Sequence, residues 1–269
     1  MIPKIIHYCW FGGNPLPELA QKCIASWKKY CPDYEIKEWN ESNFDLNCCD
    51  YVREAYEAKR WAFVSDVARF WVLYQEGGIY FDTDVEIIKP LDDILERGAF
   101  WGCEKNELVA PGLGMAANPG LGIYKEVLDF YKRKHFRNED GLTDTTTIVE
   151  YTSRILKRHG WKPDGTIQKI ENITIYPPKY FCPMNYQTGK ITITADTYTI
   201  HHYSASWYTD KERKIISIQK KYKHLFGERS GAFIASCICI PLRLANRFEM
   251  DGIKGILQTI KNKLLKENR

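Results

Sequence analysis

Gly77-Gly78-Ile79-Tyr80-Phe81-Asp82-Thr83-Asp84 is the stretch that decides the fold of this 269-residue chain. The two glycines end a helical pattern, because glycine readily adopts the left-handed backbone that terminates a helix. The apolar and aromatic residues that follow predict a short strand, and two aspartates come directly after it. A helix that turns into a strand and then a polar loop is typical of an α/β domain, which binds ligands at the carboxyl ends of its strands.

The same alternation of strands and helices extends through the first 210 residues. Hydrophobic periodicity predicts strands at 4–9, 34–39, 79–81, 99–103, 114–117, 172–176, 190–194 and 198–203. It predicts helices at 16–30, 51–75, 121–135 and 145–159. The sequence therefore predicts an α/β domain over residues 1–210 and a basic helical C-terminal extension over residues 211–269.

The net charge of +4 is unevenly distributed. Residues 1–210 hold 24 basic and 29 acidic residues, whereas residues 211–269 hold 14 and 5. The extension also carries an apolar helical stripe that includes Ile253, Leu257 and Leu264. This combination is typical of a helix on an anionic membrane surface, although a helix packed on the body with its lysines outward is the alternative. Nucleic acid is disfavoured as a partner, because no nucleic-acid-binding motif accompanies the basic residues.

Cysteine usage and the N-terminal sequence predict the compartment. The nine cysteines include no C-x-x-C pair, so a zinc ribbon is not expected and reduced thiols are. The N-terminus lacks the pattern of a signal peptide, and the apolar run 232–242 is too short to span a bilayer. We expect a cytoplasmic protein that associates peripherally with the inner face of the plasma membrane.

Asp82 and Asp84 are the strongest candidates for chemistry. In an extended segment residues two apart project to one side, so both carboxylates would enter the same crevice. Two clustered carboxylates need a counter-charge, and a hard divalent cation that also binds phosphate oxygens supplies one. The alternative is an acidic turn after an edge strand, which the preceding Gly-Gly and aromatic strand make less attractive.

Three further features gain meaning from this motif. Asp66 and Arg69 lie on one helix face, where they either hold a sugar hydroxyl and a phosphate or form an ordinary ion pair. Trp10 follows the first strand and either stacks on a nucleobase or belongs to the core. The segment 201–207 carries two histidines and two serines near a predicted strand end, where a histidine could complete a metal site or simply lie at the surface.

These residues, in this order, resemble a DXD-containing glycosyltransferase family, family 32. That family includes the yeast initiating α-1,6-mannosyltransferase and bacterial capsular polysaccharide transferases, and is distantly similar to clostridial glucosylating toxins. The resemblance covers about residues 1–208 and is carried by Ile2–Gly13, Ala62–Arg69, Leu73–Glu86 and His201–Trp207.

The resemblance implies a GT-A-type, Rossmann-like nucleotide-sugar-binding fold, a nucleotide-sugar donor, Mn²⁺ or Mg²⁺, and retention of anomeric configuration. It assigns Trp10 to the nucleobase and Tyr80 to the neighbourhood of the nucleotide. Asp66 and Arg69 would contact the donor sugar and diphosphate. Asp82 would bind ribose or a metal-bound water, and Asp84 would bind the metal. It adds His202 as a third metal ligand, Ser206 or Trp207 at the diphosphate, and residues 112–118 along the sugar and acceptor cleft.

By the same resemblance, we expect transfer of a hexose, with a UDP-sugar favoured over GDP-mannose, to a glycan or lipid-linked glycan in bacterial surface polysaccharide synthesis. Two other classes of protein remain as alternatives. One is a non-catalytic sugar-nucleotide-binding protein of the same fold. The other is a haloacid-dehalogenase-type phosphatase, whose motif differs at Glu86 and usually follows the first strand.

Overall fold

The structure is a computed structural model that describes residues 1–186, 189–204 and 209–267. Its strands are β1 (Ile5–Cys9), β2 (Glu35–Trp39), β3 (Gly78–Tyr80), β4 (Val85–Ile87), β5 (Phe100–Lys105), β6 (Leu108–Val109), β7 (Met115–Ala117), β8 (Gln168–Ile170), β9 (Ile173–Tyr176) and β10 (Thr199–His201). Its helices are α1 (Glu18–Tyr30), α2 (Asp50–Glu57), α3 (Trp61–Glu76), α4 (Asp92–Leu95), α5 (Gly122–Lys132), α6 (Ile148–Arg158), α7 (Pro178–Phe181), α8 (Asp210–Phe226), α9 (Glu228–Ile238) and α10 (Ile240–Glu267). A short 3-10 helix spans Pro111–Leu113.

The chain divides into two compact units, one of residues 1–135 and 146–204 and one of residues 136–145 and 205–269. In the first unit the described strands form an eight-stranded mixed sheet in the order β2-β1-β3-β7-β5-β9-β8, with β6 paired to β5. Strands β4 and β10 form a separate antiparallel pair. The mixed sheet and its helices confirm the predicted α/β class.

Strand direction at the centre of the sheet brings two predicted site residues to one edge. Strands β1 and β3 are parallel, with His7 in register with Tyr80. Trp10 follows the carboxyl end of β1, and Asp82 follows the carboxyl end of β3. Because parallel strands end at the same edge, this is the edge where α/β proteins bind their ligands.

The glycine pair that ends α3 is required by the backbone path. Gly77 and Gly78 adopt φ values of 68° and 95°, which side chains rarely tolerate. A Cβ on Gly78 would also lie 2.7 Å from the carbonyl oxygen of Ile5 in the neighbouring strand. The close turn from α3 into β3 therefore depends on glycine at these positions, as the sequence predicts.

A buried histidine ties this turn to the neighbouring strands. The Nε2–H of His7 donates to the carbonyl oxygen of Gly77 at 2.9 Å, and its Nδ1 accepts from the indole N–H of Trp39 at 3.0 Å. Burial lowers the pKa of His7 to about 4, although its bond to Gly77 works against this shift. The neutral ring therefore fixes the end of α3 against β1 and β2.

Helix α3 also packs in an aromatic core. Phe70 contacts Trp101 and Tyr124, with ring centroids 5.5 Å and 5.3 Å away. The indole N–H of Trp101 donates to the hydroxyl oxygen of Tyr124 at 2.7 Å, so both buried polar atoms are satisfied. This core fixes the helix that carries Asp66 and Arg69.

Two predicted elements are wrong. The helix expected over residues 51–75 is two helices, α2 and α3, because Lys59 adopts a left-handed φ of 56° and breaks the helical path. The strand expected over residues 190–194 is absent from the described part of that segment. There, Ile191 forms only an isolated bridge with Met184.

The second unit is helical, as the sequence predicts for the C-terminal extension. Helix α8 begins with a capping box, in which the Thr209 side chain accepts from the backbone N–H of Glu212 and the Glu212 side chain accepts from that of Thr209. Helix α10 is interrupted at Gly252, which adopts a non-helical conformation. The unit also includes residues 136–145, which the boundary predicted at residue 210 would assign to the catalytic domain.

Candidate active site

The Asp82–Asp84 segment forms a turn rather than the extended stretch that the sequence analysis assumed. The backbone N–H of Val85 donates to the carbonyl oxygen of Asp82 at 3.1 Å, which closes the turn. The backbone N–H of Asp82 donates to the carbonyl oxygen of Gly112 at 2.9 Å. As a result, the two carboxylates have different partners.

The Asp82 carboxylate lies against a buried cation. Its Oδ1 is 3.3 Å from the Nη2 atom of Arg69 and accepts from the Tyr80 hydroxyl at 3.0 Å. The same Nη2 atom is 3.1 Å from Oδ1 of Asp66. The Arg69 side chain is 6% exposed, whereas that of Asp82 is 33% exposed. Arg69 therefore orients a carboxylate that solvent and ligands can still reach.

This cluster holds two carboxylates around one guanidinium. Burial, aided by the charge of Asp82, raises the pKa of Asp66 to about 7, although Arg69 and the backbone N–H of Ile148 oppose the shift. Burial also acts on Arg69, but the charges of Asp82, Tyr80 and Asp66 outweigh it and raise the pKa of the guanidinium. The permanent charge of Arg69 thus lies between the side chains of Asp66 and Asp82.

Gly112 makes room for this arrangement. A Cβ on Gly112 would lie 1.8 Å from Oδ2 of Asp82 and 3.0 Å from Nη1 of Arg69. The backbone of Gly112 is therefore in van der Waals contact with the carboxylate. Any side chain at this position would displace Asp82 from Arg69.

The Asp84 carboxylate is held by the end of β10. Its Oδ2 accepts from the backbone N–H of Ser204 at 2.8 Å and from the Ser204 hydroxyl at 3.0 Å, and Nε2 of His201 is 3.2 Å from Oδ1. Tyr203 has a left-handed φ of 51°, and it immediately precedes the N–H that bonds Asp84. Asp84 is 8% exposed, so its carboxylate is buried rather than open in the crevice that the sequence predicts.

Asp84 and His201 shift each other's protonation. Burial alone would raise the pKa of Asp84, but His201 and the hydrogen bonds from Ser204 lower it to about 2. Burial alone would lower the pKa of His201, but Asp84 together with the Cys182 thiol raises it to about 10. At neutral pH the pair is therefore a carboxylate and an imidazolium.

His202 is not brought to Asp84 by its side chain. Its Nε2 lies 2.7 Å from Oε2 of Glu86, and Nζ of Lys22 lies 3.3 Å from the same oxygen. Only the backbone N–H of His202 reaches Asp84, at the carbonyl oxygen and at 2.9 Å. The assignment of His202 as a metal ligand remains a prediction, and its side chain contacts Glu86 rather than Asp84.

The two aspartates still suit a hard divalent cation. Carboxylate oxygens are the ligands that Mg²⁺ and Mn²⁺ prefer, and Mg²⁺ is commonly held by one or two carboxylates together with substrate phosphates. Among the described residues no group of three or more His, Cys, Asp or Glu side chains is arranged to hold a metal. Asp82 and Asp84 are therefore the described carboxylates that the motif offers to such a cation.

The remaining predicted residues have mixed outcomes. Trp10 is half-buried rather than part of the core, and its indole N–H donates to the carbonyl oxygen of Asn14 at 2.6 Å. Ser206 and Trp207 lie outside the described residues. Within the predicted cleft segment 112–118, Gly112 contacts the carboxylate motif through Asp82.

Sequence reasoning did not single out Ser204 or His201, whose side chains contact Asp84. Ser204 lies in the segment 201–207 that the sequence singled out, but nothing in the sequence distinguishes it from Ser206. The antiparallel pairing of β10 with β4 places His201 opposite Val85, next to Asp84. That register could be assigned only from the structure.

Comparison with known proteins agrees with this geometry. The sequence model of a family described as "Glycosyltransferase sugar-binding region containing DXD motif" matches residues 17–101. An uncharacterized glycosyltransferase of Acanthamoeba polyphaga mimivirus is 25% identical over 234 residues, which cover 82% of this chain and 90% of that protein. Inositol phosphoceramide mannosyltransferase 3 of Schizosaccharomyces pombe is 36% identical over 107 residues, which cover 37% of this chain and 29% of that protein.

Among solved structures, the PaToxG glycosyltransferase is similar over 58% of this chain and 69% of its own, at 19% identity and a TM-score of 0.44. The matched family region contains Asp66, Arg69, Tyr80 and both aspartates of the motif. Over residues 17–101 the chain is thus similar to glycosyltransferases that carry a DXD-containing sugar-binding region.

Proposed function

We propose that the chain transfers a hexose from a nucleotide sugar to a glycan or lipid-linked glycan, with retention of configuration and with the help of Mn²⁺ or Mg²⁺. One observation carries this proposal. Within the matched region, Asp82 follows the carboxyl end of β3 with its carboxylate oriented by buried Arg69 and still one third exposed. This is an acidic, preorganised site at the ligand-binding edge of the sheet.

Each residue of the site has a defined task in this proposal. Asp82 and Asp84 would hold the divalent cation, which when bound offsets the negative charge that develops on the departing diphosphate. Arg69 holds Asp82 in place through the 3.3 Å contact, and Tyr80 donates a second bond to the same oxygen. Asp66 restrains Arg69 from the other side. Direct contact of Asp66 or Arg69 with the donor is a separate proposal, because both side chains are buried.

The transfer itself exchanges one bond for another. The bond between the anomeric carbon and the diphosphate oxygen breaks, and the electron pair leaves with the diphosphate. The acceptor hydroxyl forms the new glycosidic bond on the same face, and its proton passes to the departing diphosphate. We assign no enzyme nucleophile, because this proposal already assigns Asp82 and Asp84 to the divalent cation.

For the donor, we favour a UDP-sugar. The half-buried indole of Trp10 at the end of β1 would stack on the uracil, in keeping with the resemblance to the glucosylating toxins. GDP-mannose is the second candidate, because the S. pombe relative is named as a mannosyltransferase. For the acceptor, we favour a lipid-linked glycan of a bacterial surface polysaccharide, whereas the name of the S. pombe relative specifies inositol phosphoceramide.

Donor hydrolysis by the purified full chain tests this proposal. UDP-hexoses and GDP-mannose are incubated with Mn²⁺, with Mg²⁺ or with a chelator, and the released nucleoside diphosphate is measured. We expect metal-dependent release from one nucleotide class, lost in Asp82→Asn. Gly122→Ala is the matched control, since a Cβ at that position meets no atom within 4 Å.

The alternatives predict different products. Binding of a sugar nucleotide without release of nucleoside diphosphate, even when candidate acceptors are added, would support the non-catalytic protein. Release of inorganic phosphate from phosphomonoesters would support the phosphatase. Trp10→Ala adds a test of the base contact, with an expected loss of about 1–3 kcal/mol in nucleotide binding.

A further inference from the structure

The second unit exposes an unusual amount of apolar surface. Phe233 is 72% exposed, Ile253 67% and Leu257 60%. The exposed large apolar side chains of α8, α9 and α10 are Leu225, Phe226, Phe233, Ile238, Ile240, Phe248, Ile253 and Leu257, and we call this set the apolar surface. An exposed set of this size marks an interaction site rather than ordinary surface residues.

Helix α9 shows how this surface is built. Gly231, Ala235 and Cys239 recur every four residues and are buried. At Gly231 the helix approaches α8 so closely that a Cβ would lie 2.2 Å from the carbonyl oxygen of Tyr222. Phe233 and Cys237, also four residues apart, are exposed. The small residues of α9 thus pack within the unit, and its large aromatic residue is left outside.

The charge of the same helices selects the partner. Residues 211–258 hold ten lysines and arginines but only four acidic residues. Lys221, Arg229 and Lys254 are exposed, one on each of the three helices. A second copy of the chain would bring like charges together, whereas an anionic surface would be attracted. Apolar side chains mixed with basic ones are typical of helices that lie in the interface of an anionic membrane.

No single helix among the described residues has the length and hydropathy of a membrane span. Two consecutive helical segments, Arg229–Ile238 and Ile240–Gln258, together have the length and hydropathy of a span, but the pair is bent by 56°.

We propose that the α8–α10 unit docks on an anionic phospholipid surface. Its lysines and arginines contact lipid phosphates, and the apolar surface enters the boundary between headgroups and acyl chains. This inference goes beyond the proposed transfer reaction. Docking can be measured without turnover, so the failure of either proposal is recognised independently of the other.

Vesicle co-sedimentation of the full chain tests the docking. The vesicles consist either of phosphatidylcholine alone or of equal parts of phosphatidylcholine and phosphatidylglycerol. We expect binding to the mixed vesicles that weakens as salt is raised and is much weaker on phosphatidylcholine alone. Replacing Lys221, Arg229 and Lys254 by Gln should lower the affinity about fivefold per residue. Replacing Phe233, Ile253 and Leu257 by Ser should lower it about tenfold or more.

Matched controls separate docking from general surface effects. Lys28, Lys105 and Lys169 are exposed in the first unit, and their replacement by Gln removes the same charge. Ile193, 59% exposed in the first unit, provides an apolar control as Ile193→Ser. Circular dichroism establishes whether each variant remains folded. If the triple apolar variant does not fold, Phe233→Ser alone replaces it in the test.

Three results would overturn the proposal. The first is absence of binding to the phosphatidylglycerol vesicles. The second is equal loss of binding in the control variants. The third is a concentration-dependent dimer that is seen by sedimentation velocity, is abolished by Phe233→Ser and is not accompanied by vesicle binding. That result would assign the apolar surface to a second copy of the chain.

Discussion

The two aspartates of the motif are two residues apart, but they lie in different environments. Asp82 faces Arg69, which is permanently charged and comes from the helix just before the motif. Asp84 faces His201 and Ser204, which come from a strand end more than a hundred residues later in the chain. One carboxylate is one third exposed, and the other is nearly buried.

This difference separates two tasks within one motif. The Asp82 side is a rigid local unit, in which α3, β3 and Gly112 fix the carboxylate and leave part of it accessible. On the Asp84 side, the ion pair between Asp84 and the titratable His201 joins the motif to the segment that ends the first unit. We therefore expect substitutions on the two sides to differ in their effects on activity, stability and pH dependence.

The largest effect is expected for Asp84→Asn. Loss of the carboxylate should lower transfer by about 10²–10³-fold, because charge stabilisation at the leaving diphosphate is lost. It should also lower the free energy of unfolding by about 3–5 kcal/mol, since His201 would remain buried without its counter-charge. Steady-state kinetics and urea denaturation measure the two effects. Asp33→Asn, at an exposed carboxylate, is the control.

On the other side of the motif, Arg69→Lys should reduce transfer by about 10–100-fold. A lysine keeps the charge but cannot reproduce the guanidinium contacts to both Asp66 and Asp82. The kinetics of this variant are compared with those of Arg53→Lys, whose arginine pairs with Asp50 at the surface. Equal activity of Arg69→Lys and wild type would show that Asp82 needs no fixed orientation.

Gly112→Ala should give a smaller loss, about tenfold in transfer. The new methyl group would displace the Asp82 carboxylate, and overpacking of this kind costs about 1–3 kcal/mol. The expected signature is a weakened response to Mn²⁺ with little change in the unfolding midpoint. Gly122→Ala, which meets no neighbour, should behave as wild type in the same assay.

The last effect is a gradual loss of stability on the Asp84 side as the pH rises from 6.5 to 10. The pKa of His201 is raised from its ordinary value of 6.5 to about 10, so the folded state holds a proton that the unfolded state releases. Its contribution is complete below pH 6.5 and is lost as the pH rises towards 10. The slope cannot exceed about 1.4 kcal/mol per pH unit.

Urea denaturation of wild type and His201→Gln across this pH range isolates that contribution. The difference in unfolding free energy between the two proteins should shrink as the pH rises. A difference that stays constant from pH 6.5 to pH 10 would show that His201 is not protonated beside Asp84.

The same comparison explains what the sequence could predict. Asp66, Arg69, Tyr80 and Asp82 lie within seventeen residues, so helical and strand periodicity were enough to bring them together. The partners of Asp84 depend on the pairing of β10 with β4, which is set by packing between distant segments and leaves no local pattern. For this reason the sequence singled out His202, whereas the structure places His201 beside Asp84; His202 as a metal ligand stays a prediction.

Two errors in the fold have a similar origin. The break between α2 and α3 occurs at Lys59, where no glycine or proline marks it in the sequence. The burial of Asp84 was also missed, because an aspartate in a polar loop gives no sign of a later segment that covers it. By contrast, the Gly77-Gly78 turn was predicted correctly, since only glycine fits its backbone and close contacts.

The most direct test of the central claim is calorimetric binding of UDP and GDP, with and without Mn²⁺. The claim is that the two differently held carboxylates act as one donor-binding site. It predicts that Mn²⁺ strengthens binding of one nucleotide to the wild-type chain, and that Asp82→Asn and Asp84→Asn each remove the enhancement. Undiminished enhancement in either variant would contradict it.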